Sequence, residues 1–376
     1  MIIRTDHEII KRITYERTCV KYVRIMAKYD TETKYIYTRK GKKRSSFIVI
    51  PGVPVKSENT MPRAVRTVLH ALSYGGIEVD ASRKLADIKK MDPMRIFYRT
   101  LDAEVYNGDY KVPVRLFFPN EEAMENGAAS GKKPPVILFF HGGGWVTESV
   151  ENYERVCARM AQSTGQIVAS VEYRLAPEYR FPVGLMDCYA AARVFYTNRF
   201  LLNTDPDRIT IMGDSAGGNL AAAVCMMARD RREFFPKKQI LIYPALNNCY
   251  TEESPFESVR TNGTGYLLTA AKMEDYLKLY ESSPKDRQNP YFAPILEKDL
   301  RNLPETLILT AEYDPLRDEG EVYGRKLHAA GNHVEVHRIY GAFHGFFALG
   351  IKFLHVQESF KYINQFLNKS YEKILQ

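Results

Sequence analysis

The string Gly213-Asp214-Ser215-Ala216-Gly217 constrains this chain more than any other feature. It joins the strand-like Arg208-Ile209-Thr210-Ile211-Met212 to the helix-like Asn219-Leu220-Ala221-Ala222-Ala223, and a glycine at each end leaves room for a sharp strand-to-helix turn. A serine at that turn is pushed out of the sheet and into a cleft. Its hydroxyl is a weak nucleophile near neutral pH, so it needs a histidine to take its proton and a carboxylate to hold that histidine's tautomer. Upstream, His141-Gly142-Gly143-Gly144 follows the apolar run Val136-Ile137-Leu138-Phe139-Phe140. Residues without side chains let backbone N–H groups approach an oxygen on which charge develops, so this string reads as an oxyanion loop. His141 and Gly142 are read as orienting the loop; His141 is not assigned a chemical step.

The base and the acid follow by elimination. Of the eight histidines, His7 and His70 lie far upstream of the serine, and His328 falls in the helical stretch from Gly320 to Ala330. His333 and His337 alternate in His333-Val334-Glu335-Val336-His337, the pattern of one solvated face of a strand. Of the other three, at 141, 344 and 355, His344 is the one in a loop just after that strand, and it is selected. For the acid, Leu307-Ile308-Leu309-Thr310 reads as a buried strand and Ala311-Glu312-Tyr313-Asp314-Pro315 as the loop at its carboxyl end, which selects Asp314. Glu312 and Asp318 are the competitors, expected to face solvent or cap a helix. The order Ser215, Asp314, His344 is the one that α/β-hydrolases use.

These pieces carry a family resemblance. His141 to Trp145, Tyr173-Arg174-Leu175-Ala176-Pro177-Glu178 with Phe181-Pro182, Gly213 to Asn219, Asp314 to Asp318, and His344-Gly345-Phe346 resemble, as an ordered set, the hormone-sensitive-lipase-like family of α/β-hydrolases. The likeness covers residues 100 to 376, and the first hundred match only loosely. It implies backbone oxyanion donors at Gly143, Gly144 and Ala216, and a carboxylesterase acting on small short- to medium-chain acyl esters, without metal or other cofactor. It also implies a helical cap over the cleft, half of it from residues 247 to 295 and half from amino-terminal helices at Arg63 to Tyr74 and Ala81 to Ile88. Three rivals share this fold: a deacetylase of acetylated sugars or amides, a lipase working at lipid interfaces, and a receptor that binds a ligand without catalysis.

The alternation of apolar runs predicts eight mostly parallel strands with helices on both faces, and the resemblance implies that they form an α/β-hydrolase fold. Asn107-Gly108, between Leu101 to Val105 and Val112 to Phe118, marks a hairpin. The expected divisions are a basic amino-terminal extension with the first part of the cap (1–99), the first part of the core (100–246), the cap insertion (247–295) and the rest of the core (296–376). Aromatics of the insertion, Phe256, Tyr266, Tyr276 and Tyr280, either line an acyl or alcohol pocket or pack the cap pieces together. At 376 residues, with 45% hydrophobic and 26% charged residues, the chain has enough apolar content for a large core.

The formal charge is +8, and it is unevenly placed. Residues 1 to 100 hold 22 Lys and Arg against 10 Asp and Glu, while the rest hold 31 against 35. The densest run, Arg39-Lys40-Gly41-Lys42-Lys43-Arg44, reads as a solvated turn between strands; with no nucleic-acid motif beside it, neither nucleic acid nor membrane is expected as a partner. No apolar run approaches the roughly 20 residues of a membrane span, and the start lacks a secretory core, so a cytoplasmic protein is expected. A homodimer is compatible with the sequence. The five cysteines at 19, 157, 188, 225 and 249 form no C-x-x-C pair and read as packed, reduced thiols.

Overall fold

A computed structural model describes residues 47–50 and 61–368, apart from 62, 75, 92–96, 127–132, 199–201, 203 and 350–352. The basic run 39–44, His7 and Cys19 lie outside the described residues. Among the described residues, nine strands form one sheet: β1 (Phe47–Ile50), β2 (Thr100–Asn107), β3 (Tyr110–Phe117), β4 (Val136–Phe140), β5 (Ile167–Val171), β6 (Ile209–Asp214), β7 (Lys238–Ile242), β8 (Glu305–Tyr313) and β9 (Val334–Phe343). Their order across the sheet is β1-β9-β8-β7-β6-β4-β5-β3-β2. The eight expected strands are β2 to β9. The ninth, β1, pairs in parallel with β9 and covers an edge that would otherwise present unpaired backbone groups.

β2 and β3 form the expected hairpin, with Gly108 at φ 60°, and β3 joins β5 antiparallel. Every other neighbouring pair is parallel. Each strand of the parallel run must therefore be reached by a crossover, and helices supply it. The ten helices are α1 (Arg63–Ser73), α2 (Val79–Asp87), α3 (Glu121–Asn126), α4 (Glu154–Thr164), α5 (Val183–Thr197), α6 (Ala216–Arg231), α7 (Glu257–Thr261), α8 (Ala270–Tyr280), α9 (Arg317–Ala329) and α10 (Leu354–Asn368), counted among the described residues. α4 starts later than the Ser149 expected for it. Residues 149–153 form turns instead, in which Ser149 and Asn152 bond each other and the Val150 N–H donates to Glu172.

Both faces of the sheet are buried, which is why its central strands are apolar without alternation. In β4, Val136, Leu138 and Phe140 face one core with α5, α6 and α9, while Ile137 and Phe139 face a second core with α4 and α10. The second core corrects one expectation. His337 is not on a solvated face: α10 packs over β9 there, and the imidazole is buried and stacked on Tyr362 with ring centroids 3.9 Å apart.

The chain leaves β4 towards β5 on one side and reaches β6 on the other, so β4 and β6 flank a topological switch point. The crevice beyond the carboxyl ends of such strands is where open α/β sheets place their ligands. Here the loop after β4 is the triple-glycine string, and the turn after β6 holds Ser215. Above that crevice the amino-terminal helices meet the 247–295 insertion. Lys272 of α8 donates to Leu72 O, the Leu267 N–H donates to Ser73 Oγ, and the Arg66 guanidinium lies 5.5 Å from the Tyr266 ring centre. Among the described residues, no helix is long and apolar enough to cross a membrane.

Candidate active site

Ser215 sits between β6 and α6 at φ 55° and ψ −118°, a conformation that a non-glycine residue holds only at a cost of roughly 1–3 kcal/mol. The surroundings over-determine it. The Ser215 N–H donates to Ile242 O at 2.9 Å, and Ser215 O accepts from the Asn219 and Ala245 N–H groups. The flanking glycines are a packing requirement: a Cβ on Gly213 would overlap the Gly217 carbonyl, and one on Gly217 would overlap the carbonyl of Phe140 in β4. Gly218 approaches Pro244, where an added Cβ would lie 2.9 Å from the proline Cβ. The turn thus exists because strand, helix and neighbouring loop pass within backbone contact.

The three expected residues come together. Ser215 Oγ lies 2.8 Å from His344 Nε2, and His344 Nδ1 lies 2.7 Å from Asp314 Oδ2. A carboxylate carries no proton to give, so Nδ1 must donate to it, which leaves Nε2 unprotonated and facing the hydroxyl. Asp314 is fully buried just past β8, and its other oxygen accepts from the Leu316 N–H at 2.8 Å. His344 directly follows β9 and packs its ring against Tyr243, centroids 4.8 Å apart. The competing acids are occupied elsewhere. Glu312 accepts from the Gly341 N–H, and Asp318 accepts from the Ser258 N–H at the start of α7 and from Arg317.

The triple-glycine loop arches over the same crevice. Gly143 and Gly144 have φ of 114° and 61°, and the Gly143 carbonyl accepts from the Val146 and Thr147 N–H groups. The ring of Tyr276 in α8 fills the space where a side chain on Gly144 would stand. Ala216 is the first residue of α6, where an N–H has no acceptor within the helix. His141 is buried, stacked on Tyr173 at 4.4 Å, with Nδ1 2.7 Å from Gly142 O. Burial pushes its pKa down to about 4, so the ring is neutral and Nδ1 carries the proton towards that carbonyl.

Several contacts around this loop were not foreseen. The Asp214 carboxylate accepts from the Gly142 N–H at 2.8 Å, the Tyr153 hydroxyl at 2.9 Å and the Tyr243 hydroxyl at 3.3 Å, and burial pushes its pKa up to about 6. Arg83 of α2 donates to Val146 O and Ala176 O and pairs bidentately with Glu178. Trp145 stacks flat on Tyr280 of α8, centroids 4.5 Å apart, with Phe292 stacked beyond. Of the insertion aromatics, Tyr280 and Phe256 are buried in packing and Tyr266 stacks on Tyr313. Asp214, Trp145 and Glu178 had a signal in the sequence as members of motifs, and Tyr280 as an aromatic of the insertion, but their partners lie on other elements. The four described cysteines form no disulfide with one another, and Cys157, Cys188 and Cys225 are buried.

Comparison with known proteins agrees with this geometry. A profile of the α/β-hydrolase fold matches residues 137–348. The chain is 36% identical to an arylesterase of Saccharolobus solfataricus over 248 residues, which is 66% of this chain and 76% of that one. It is 35% identical to an ethyl acetate hydrolase of Pseudomonas putida over 242 residues, 64% of this chain and 73% of that one. Among solved structures, the hyperthermophilic esterase of the archaeon Pyrobaculum calidifontis superposes with a TM-score of 0.72 at 36% identity, covering 82% of this chain and 98% of that one. With the serine turn, the glycine loop and the Ser-Asp-His order all in place, the chain belongs to the hormone-sensitive-lipase-like family of α/β-hydrolases.

Proposed function

We propose that this carboxylesterase hydrolyses short- to medium-chain acyl esters of small molecules through an acyl-enzyme intermediate, with Ser215 as nucleophile, His344 as general base and then acid, and Asp314 as the carboxylate that orients His344. The observation that carries the reading is the unbroken row from Ser215 Oγ through His344 to Asp314, at 2.8 and 2.7 Å. A receptor on the same fold would need no such row, which favours hydrolysis over binding alone.

In the first half-reaction Ser215 Oγ attacks the ester carbonyl carbon as its proton passes to His344 Nε2. The imidazolium that forms is held by Asp314 through Nδ1–H, and it then gives its proton to the departing alkoxide. The carbonyl oxygen gains negative charge in the tetrahedral intermediate, and the N–H groups of Gly143, Gly144 and Ala216 stabilise it. The Ala216 donor lies at the positive end of α6, which adds to the effect. In the second half-reaction water attacks the acyl carbon as His344 takes its proton, and His344 then returns that proton to Ser215 Oγ as the acyl–Oγ bond breaks and the acid leaves. No step calls for a metal or an organic cofactor.

Helices α1 and α2 with the 247–295 insertion form the cap in this reading, and residues 100–246 with 296–376 form the core. The cap holds the acyl or alcohol group over Ser215, and neither nucleic acid nor a membrane takes part. Ser215→Ala is expected to lose on the order of 10⁴-fold or more in p-nitrophenyl ester turnover while remaining folded. Fluorophosphonate labelling should vanish in the same variant, and labelling retained at another serine would overturn the assignment. Turnover across acetyl to decanoyl esters, acetylated sugars and amides then tests the substrate class, with short and medium esters expected to be fastest.

A further inference from the structure

We infer that Asp214 is a positioning residue that locks the oxyanion loop to the nucleophile turn, holding the Gly142 amide on one carboxylate oxygen and the Tyr153 and Tyr243 hydroxyls on the other. The inference rests on the reading of Ser215 as nucleophile and of the loop glycines as oxyanion donors.

Three facts place the carboxylate in this role. Asp214 directly precedes Ser215, and Gly142 directly precedes Gly143, so the 2.8 Å bond from Gly142 N–H to Asp214 Oδ1 joins the two halves of the site through a single side chain. Gly142 owes its lack of a side chain to the same contact, since an added Cβ would stand 2.8 Å from Asp214 Oδ2. The second oxygen reaches Tyr153, the residue that precedes α4, and Tyr243, whose ring packs on His344. One carboxylate therefore spans the oxyanion loop, the nucleophile turn and the base.

The chemistry selects a carboxylate as well. All three partners donate, and an ionised carboxyl group only accepts. Burying it is costly, because the hydrogen bonds given to it here come from neutral groups: an amide and two phenols. Both phenols are held neutral by burial. A position that only had to be filled would be satisfied by an uncharged residue.

The test is steady-state hydrolysis of p-nitrophenyl acetate by Asp214→Ala, Asp214→Asn and Tyr153→Phe, with a thermal melt of each variant. Removing one oxyanion donor typically costs 10²–10³-fold in kcat. Asp214→Ala, which releases the loop, is expected to lose on the order of 10²-fold in kcat with KM within about threefold of wild type. Asp214→Asn keeps the size but turns an amide NH₂ towards donors, and should lose at least about fivefold. Tyr153→Phe removes a partner of the other oxygen and should lose less than either. If Asp214→Ala does not fold, the Asn variant decides alone: kcat within twofold of wild type overturns the proposal. A lowered melting temperature with unchanged kcat likewise makes Asp214 a packing residue only. Hydrolysis surviving in Ser215→Ala would instead refute the nucleophile assignment, so the two failures are distinguishable.

Discussion

The Asp214 carboxyl group, bonded to the triple-glycine loop through the Gly142 N–H, should reveal itself in the pH dependence of folding. Burial moves Asp214 from an ordinary value of 3.8 to about 6, so between those values the native chain binds a proton that the unfolded chain does not. Native stability therefore falls as pH rises through this window. The full effect, at 1.36 kcal/mol per pH unit, is about 3 kcal/mol, and about 2 kcal/mol of it falls between pH 4.5 and 7. An asparagine at 214 has no such proton. The difference in unfolding free energy, wild type minus Asp214→Asn, should thus decline by about 2 kcal/mol from pH 4.5 to 7, measured by urea titration at half-unit steps. Changes in hydrogen bonding made by the substitution shift that curve without tilting it. Parallel stability curves for the two proteins would refute the argument, because they would mean that Asp214 titrates alike in both states. Together with the lower kcat expected of the same variant, the result would show a carboxylate kept for function against stability.

Other outcomes follow from the same geometry. Asp314→Asn should lose up to about 10⁴-fold in kcat by spoiling the His344 tautomer, whereas Glu312→Gln and Asp318→Asn, whose carboxylates serve Gly341 and α7, should be mild; an equal loss in either would reassign the acid. Gly144→Ala forces a side chain into the Tyr276 ring at φ 61° and should lower kcat on the order of 10²-fold, with partial recovery when Tyr276→Ser is added; full activity in the single variant would show that the loop tolerates displacement. Deleting residues 1–60 removes β1 and opens the edge of β9, so concentration-dependent association by size-exclusion chromatography is expected, while Ser215 stays reactive towards a small phosphonate. An unchanged monomer fraction would mean that the edge needs no cover.

The fold was legible because its signals are local. Apolar runs without alternation mark strands buried on both faces, the asparagine-glycine pair marks the β2–β3 hairpin, and glycines at 213 and 217 mark a turn that only a close strand-helix crossing requires. Chain order and elimination pointed to Ser215, Asp314 and His344, and the structure brings the three together because each stands immediately after a strand and a parallel sheet brings strand ends to one side. Residues whose partners are distant in sequence were not legible. Asp214 looked like part of a motif, and only the approach of Gly142, Tyr153 and Tyr243 from three other elements makes it an anchor. His337 read as solvated from its alternation, since nothing near it in the chain announces that α10 will cover that face of β9. Arg83 and Tyr280 lie in the two segments least tied to the strand rhythm, yet both contact the triple-glycine loop and the residues just after it. The sequence alone determined which residues carry charge, protons and conformational freedom; tertiary packing decided which of them are buried together, and burial sets the pKa of Asp214 and the reach of each hydrogen bond.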